Sequence, residues 1–326
     1  MSPFLFNFYI NDLLEECIKA NNGAKLGPFN VSIICYCDDI TLISSSIHDM
    51  NRLLRICGDY AKDWKLEFSI NKCYWTCFGK EVFNDAKFTL QNQELCYSEN
   101  VIHLGLPIGS REFVNNHLKE KFKKVEGSFY SLYGLGCKPN GLNPFTIADI
   151  YKTFCQSIML YGFEIFNYSN STVIELNIRQ NILIKHSICL SKFVRTTPLF
   201  TALRIKSIMH LIYQHKLCFV RQIFNVTSTR GLYYYLEEFY KNNTPSVHSF
   251  FKYYKKITEM CEIEETLTDK NKIKEKLSRY FHYNNDGNGL IDSIRTTLNR
   301  YVSINKSKEQ LDILAMFLAV RIHGVT

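Results

Sequence analysis

Val31-Ser32-Ile33-Ile34-Cys35-Tyr36-Cys37-Asp38-Asp39-Ile40-Thr41-Leu42-Ile43 reads as two short apolar runs around an acidic interruption. Apolar runs of this length bounded by turn residues are strands. Residues 31–45 therefore predict a β-hairpin with Asp38 and Asp39 at or beside its tip. Adjacent carboxylates on a rigid hairpin can hold a hard divalent cation such as Mg²⁺, and phosphoryl transfer often uses two such ions about 3.5–4 Å apart. Successive side chains on a strand face opposite ways, so the two carboxylates cannot serve identically and other carboxylates must join them. The dipeptide alone has an ordinary reading too, because Asp is common in turns, where its side chain bonds nearby backbone amides.

Upstream, Leu5, Phe8, Tyr9 and Leu13 fall on one face of a helix over residues 4–20, with Ser2 as cap, Pro3 in the first turn and Asn21-Asn22-Gly23 as the stop. Downstream, Ser46 and Asp49 form a capping box before Met50, Leu53, Leu54, Cys57, Tyr60 and Ala61, which recur at helical spacing. Leu66–Ile70, Tyr74–Phe78 and Val101–Leu106 read as strands, and Phe88–Leu90 and Glu94–Tyr97 as a hairpin around Gln91-Asn92-Gln93. After Gly109 the period changes. Leu118, Phe122, Val125, Phe129 and Leu132 make a helical stripe; Gly134, Gly136, Pro139 and Gly141 mark a loop; Asn143 and Pro144 cap a helix carrying Ile147, Tyr151, Phe154, Cys155, Ile158 and Met159. From there the chain reads almost wholly helical. The change near residue 110 predicts the main domain boundary, and an accumulation of Thr, Ser, Asn and Pro over residues 226–245 predicts a second.

Composition narrows the class. The formal net charge is +8, compatible with a polyanionic partner without establishing one. The 24 Phe and 20 Tyr supply large cores and planar surfaces on which bases stack. Residues 1–20 turn acidic at Asp12, Glu15 and Glu16 and show no signal-peptide pattern, and no run of 18 uncharged apolar residues occurs. An intracellular protein (cytoplasm or nucleus) with reduced thiols and no membrane contact is expected. Among the 12 cysteines, Cys73 and Cys77 lack a second pair at zinc-finger spacing, so buried apolar cysteine is the favoured reading.

An ordered set of segments resembles the reverse transcriptases of non-LTR retrotransposons. Ser2-Pro3-Phe4-Leu5-Phe6-Asn7 with Tyr9-Ile10-Asn11-Asp12-Leu13 is similar to a palm helix of that family, and Tyr36-Cys37-Asp38-Asp39 to its metal-binding hairpin. Trp64-Lys65-Leu66-Glu67-Phe68 with Asn71-Lys72-Cys73 resembles the next palm motif, and His103-Leu104-Gly105-Leu106-Pro107-Ile108-Gly109 the primer-grip hairpin. Leu160-Tyr161-Gly162-Phe163-Glu164 resembles a helix of the thumb and connection region. The resemblance covers residues 1 to about 165 well, about 166–225 loosely, and nothing beyond.

The resemblance implies an α+β fold: a partial palm over residues 1–110, a helical thumb or connection domain over 111–225, and a helical C-terminal region over 226–326. It implies Mg²⁺ or Mn²⁺ as cofactor, and RNA template, DNA primer and dNTP as partners. Asp38 would be a metal ligand and Asp39 a weaker or outer one. Tyr36 and Cys37, where the family more often has Ala at the second position, would pack beside the primer end. Lys72 would neutralise or protonate the leaving phosphate, and His103, Leu104 and Gly105 would position the primer, Gly105 by close backbone approach. Apart from the resemblance, Lys72 reads as a surface lysine and His103 as a structural histidine.

In the family a further palm Asp, a Gln-Gly turn and the fingers precede the Ser-Pro segment. None is visible here. Asp149 lies in a helical pattern and Asp85 outside any motif, so neither replaces the missing carboxylate. The expectation is a fragment of an RNA-directed DNA polymerase that is inactive alone. The alternatives are a nonenzymatic nucleic-acid-binding remnant or a pseudogene product. The charged stretch Lys252–Arg279, with Tyr253, Tyr254 and Tyr280, reads first as a solvated helix face and second as a nucleic-acid surface.

Overall fold

Gly23 marks where the first helix turns into the hairpin. Its φ is +90°, and a Cβ there would stand 2.7 Å from Ser32 Cβ and 2.8 Å from the Ile43 carbonyl. Only a glycine lets the chain leave helix α1 (Ser2–Lys19) and pass this close to the base of the hairpin. The computed structural model describes residues 2–78, 86–242, 250–263 and 269–282. The chain divides into two compact units, Met1–Ser110 and Arg111–Thr326.

In the first unit, strands β1 (Lys25–Leu26) and β2 (Phe29–Asn30) pair with each other, as do β3 (Ile33–Tyr36) and β4 (Asp39–Leu42), both antiparallel. Helix α2 (Ile47–Asp63) opens on the predicted box: the Asp49 amide donates to Ser46 Oγ at 3.1 Å and the Ser46 hydroxyl donates to the Asp49 carboxylate at 2.9 Å. Its buried face, Leu53, Leu54, Cys57 and Tyr60, packs with Ile10, Leu13 and Cys17 of α1 and Ile33 of β3. The Tyr60 hydroxyl donates to the Tyr9 carbonyl at 2.6 Å, fixing α1 against α2.

The expected strand over Leu66–Ile70 does not form. Lys65 takes a positive φ, and Ile70–Lys72 closes into a 3₁₀ turn. The Gln91 side chain supplies the pairing instead, accepting from the Phe68 amide and donating to the Leu66 carbonyl, each at 3.3 Å. The short strand β5 (Tyr74–Trp75) follows. Strands β6 (Thr89–Leu90) and β7 (Gln93–Glu94) close over Gln91-Asn92 alone, and β8 (Cys96–Tyr97) pairs in parallel with β5 rather than lengthening that hairpin. Residues 101–106 are not one strand. They bend at Leu104-Gly105 into an antiparallel hairpin of β9 (Val101–His103) and β10 (Leu106–Ile108).

The second unit is helical. Helix α3 (Arg111–Ser131) buries Leu118, Phe122, Val125 and Phe129 as its period predicts. Helix α4 (Pro144–Ile150), capped by Asn143, runs through a π turn at Tyr151–Cys155 into α5 (Gln156–Leu160). Then come α6 (Asn170–Ser187), α7 (Thr196–Ala202), α8 (Ile208–Asn225), α9 (Thr227–Asn242), α10 (Phe250–Met260) and α11 (Lys270–His282). Buried Gln180 of α6 joins α4–α5 to the chain before α8: it accepts from the Tyr151 hydroxyl at 2.9 Å and donates to the Lys206 carbonyl at 3.1 Å.

The boundary expected over residues 226–245 does not divide the described residues. Tyr233, Phe251, Tyr254, Ile257, Ile273 and Leu277 join the same core as Phe122 and Tyr151. Apolar side chains on α9, α10 and α11 outweigh the polar composition between them. Tyr254 is buried, and Tyr253 and Tyr280 pack against the core, so these rings are not presented as a nucleic-acid surface. Asp149 is an exposed helix residue paired with Lys152 at 2.7 Å. Asp85 and residues 283–326 lie outside the described residues.

Candidate functional site

The β3–β4 register pairs Tyr36 with Asp39, Cys35 with Ile40, Ile34 with Thr41 and Ile33 with Leu42. Cys37 and Asp38 alone form the turn. Cys37 has a φ of +51° and Asp38 does not share the positive sign, the pattern of a turn that favours glycine at its first central position. A cysteine there costs about 1 kcal/mol of backbone strain. The Cys35 thiol, donating to the Cys37 carbonyl at 3.1 Å, braces the turn from the strand below.

Alternation then sorts the side chains. Ile33, Cys35, Ile40 and Leu42 pack toward the core of the first unit. Ile34, Tyr36, Asp39 and Thr41 stand on the other face, with Tyr36 64% exposed. Asp38 and Asp39 are both exposed at the tip. Their charge is felt nearby. Burial raises the Cys35 thiol above its ordinary pKa, and the neighbouring carboxylates of Asp38 and Asp39 add to the rise. Burial likewise raises the Tyr74 phenol, with the Asp39 carboxylate as the second cause.

A second hairpin abuts this open face. His103 Nε2 lies 3.1 Å from Thr41 Oγ1, and the Tyr74 hydroxyl donates to the Ile102 carbonyl at 3.3 Å. The turn between β9 and β10 has both central residues at positive φ, Leu104 at +50° and Gly105 at +73°. Such a turn matches the twist of paired strands; Gly105 adopts it without strain, whereas Leu104 does not. The structure thus brings Tyr36, Cys37, Asp38 and Asp39 onto one hairpin and ties His103 to the same hairpin through Thr41. Lys72 ends the 3₁₀ turn with its side chain exposed, and no ion pair joins it to either carboxylate.

Thr41 and Tyr74 were not singled out from the sequence. The signal for Thr41 was available, since a residue two places beyond Asp39 must share its face. Tyr74 depends on a long-range pairing that no local pattern encodes.

Carboxylate oxygens suit a hard divalent cation. Asp38 and Asp39 match it in kind but fill only part of its shell, because among the described residues no three His, Cys, Asp or Glu side chains cluster. Among the described residues, too, no helix is long and apolar enough to cross a membrane.

No curated protein and no solved structure matches the chain. Residues 1–112, the span holding both hairpins, match the model of the family described as reverse transcriptase (RNA-dependent DNA polymerase). That family uses a divalent metal and works on an RNA template and a DNA primer. Over these residues, about a third of the chain, the protein is similar to the reverse transcriptase family.

Proposed function

We propose that the first unit is the metal-hairpin portion of a non-LTR-type reverse transcriptase palm, acting in Mg²⁺-dependent transfer of a dNTP to a DNA primer on an RNA template. The observation that carries the reading is the two-residue turn that exposes Asp38 and Asp39 beside the His103 hairpin, within the span matching the family. Divalent ions held at such a site activate the attacking hydroxyl and neutralise the departing pyrophosphate. Asp38, at the tip, is the principal ligand in this reading, and Asp39, one residue into β4, the weaker one. Tyr36 and Cys37 flank the primer end. His103, Leu104 and Gly105 set its position, and Lys72 offers a proton or a positive charge to the leaving phosphate. Residues 111–225 serve as thumb or connection.

Two carboxylates are too few for a paired-ion site, and among the described residues no third His, Cys, Asp or Glu side chain joins them; in this reading the further carboxylate is supplied by another palm segment of the family. Losing one ligand from such a site removes several kcal/mol of charge stabilisation, or several powers of ten in rate. The purified 326-residue chain with Mg²⁺ or Mn²⁺, dNTPs and a primed RNA template is expected to give no extension above background. A family palm segment bearing the further Asp, supplied in cis or as a separate chain, should restore it, and D38A should abolish it again while D85A does not. Restored activity that survives D38A would end this reading. Robust extension by the chain alone would overturn the assignment of an incomplete site.

A further inference from the structure

Phe193 is the most solvent-exposed large apolar side chain among the described residues, at 84%. Packing gives no reason for it. The segment that displays it, Ser191-Lys192-Phe193-Val194-Arg195 between α6 and α7, is nonetheless built with care. Its foundation is Lys185, a cation only 5% exposed, whose ammonium donates to the Lys192 carbonyl at 3.1 Å and to the Val194 carbonyl at 2.6 Å. Burying a charge is expensive unless every donor finds a partner, so a lysine spent on two loop carbonyls fixes the backbone on either side of Phe193. The Leu190 amide donating to the Lys185 carbonyl at 2.8 Å, and the Val194 amide to the Ser191 carbonyl at 3.1 Å, complete the frame.

What this frame holds out is one ring between two exposed cations. Lys192 Nζ stands 5.2 Å from the Phe193 ring centroid, and Arg195 follows at the start of α7, its side chain not used to cap the helix. A rigid aromatic platform flanked by cations fits an unpaired base together with the phosphates on either side of it. A duplex hides its base faces, so the ring would have nothing to stack on. Val194 beside it is exposed too, at 36%, but a membrane-seeking loop would set several apolar side chains together rather than one ring and one valine between two cations. We infer that the Lys192–Arg195 loop is a contact site for single-stranded nucleic acid, with Phe193 stacking on a base and Lys192 and Arg195 taking adjacent phosphates.

This site is independent of the carboxylate hairpin, and its test does not need polymerase activity. Fluorescence anisotropy of labelled oligothymidylate and oligouridylate with the full chain measures affinity and salt slope. F193A is expected to bind about 5- to 100-fold more weakly, the loss of one stacked base, with an unchanged salt slope; F193Y should bind as the parent does. K192A and R195A should each flatten the slope by about 0.7, the share of one phosphate on a single strand. In F193W, oligonucleotide should quench emission beyond the change in the parent, a signal that only contact at this ring produces. Melting followed by circular dichroism checks that the variants are folded, which an exposed position should allow. An F193A affinity within about twofold of the parent, or an F193W emission indifferent to oligonucleotide, overturns the inference. So does loss of binding to phosphatidylserine vesicles in F193A with oligonucleotide binding intact, which would make the loop a lipid contact.

Discussion

The two units solve the problem of holding a chain together in different ways. In the second, helices from α3 to α11 contribute to one core running from Leu118 to Leu277, and buried Gln180 and Lys185 find hydrogen-bond partners inside the unit. In the first, helices α1 and α2 share a smaller core with parts of the hairpins, and among the described residues all its sheets are two-stranded. Ile34 and Tyr36 stand exposed on the face that carries Asp39, and Phe8 of α1 is 79% exposed. The second unit exposes apolar side chains too, Phe193 and the Ile174, Ile178 and Ile182 row of α6 among them, so the units differ in the extent of their cores rather than in having apolar surface. The contrast separates a frame from a working face, and both tryptophans, Trp64 and Trp75, lie in the working-face unit. Tryptophan emission therefore reports on the first unit, while far-ultraviolet dichroism is dominated by the helices of the second.

The largest effect should come from cutting into the helical core. Phe122 is fully buried and carries the Arg179 guanidinium 4.9 Å above its ring, with Arg179 also paired to Glu126. F122A should cost about 3–5 kcal/mol by creating a cavity. The dichroism transition in urea should move to lower denaturant, with a smaller change in the tryptophan transition. Equal movement of both would mean that the two cores unfold as one.

Lys216 gives the second unit a pH signature. It is fully buried over Phe250 and Tyr253, at 5.0 and 5.2 Å from their centroids, and burial lowers its pKa from 10.5 to about 7. The rings and Glu164 favour the charged form and offset this only in part. Below pH 7 the lysine is protonated whether folded or unfolded, and the cost of burying its charge is fully present. Between pH 7 and 10.5 the unfolded chain binds the extra proton, so stability rises with pH, by up to about 1.4 kcal/mol per unit. Dichroism melts from pH 7 to 9 should show K216M lacking a rise that the parent displays. An identical pH dependence in both proteins would mean that the ammonium reaches water.

G23A acts on the other unit. The positive φ and the close approach to Ser32 and Ile43 should together cost about 1–3 kcal/mol. The loss should be read in the tryptophan transition, with the dichroism transition little changed. A neutral result would mean that the hairpin base can move away from α1.

How far the sequence spoke for itself also differs between the units. In the second, the stripe Leu118, Phe122, Val125, Phe129 and the cap at Asn143 were legible because a helix is encoded by neighbours three and four apart. In the first, the Asp38-Asp39 tip and the Ser46–Asp49 box were legible for the same local reason. The missing strand at Leu66–Ile70 was not, because its partner is the side chain of Gln91, far away in sequence. Nor was the parallel pairing of Tyr74–Trp75 with Cys96–Tyr97. Polar residues around 226–245 pointed to a boundary, yet the helices on either side bury into one core, since composition reports what a segment exposes and not what its neighbours cover. Of the candidate site, the carboxylates could be found by pattern. The link that sets their distance from His103 could not.

That link gives the smallest effect and the most specific one. Thr41 and His103 are both partly buried, and their contact at 3.1 Å joins two hairpins that share no strand pairing. T41V keeps the branched shape and removes the hydroxyl. Water can reach the half-exposed imidazole, so the loss should be that of one ordinary hydrogen bond, about 0.5–1.5 kcal/mol in the tryptophan transition, with T41S close to the parent. The consequence for placement should exceed the consequence for stability. Without the contact, the Tyr74 hydroxyl still bonds the Ile102 carbonyl, but the hydrogen bond from β4 to the His103 hairpin is lost. In a palm completed by a further Asp-bearing segment, T41V should lower primer extension by more than its stability loss accounts for, because misplacing reacting groups by about 1 Å can cost 10²-fold. T41S should recover most of the rate, and H103A combined with T41V should be little worse than either alone, as expected of residues that act as a pair. Additive losses in that double variant would mean that Thr41 and His103 serve separate purposes, and that the second hairpin is held by its backbone alone.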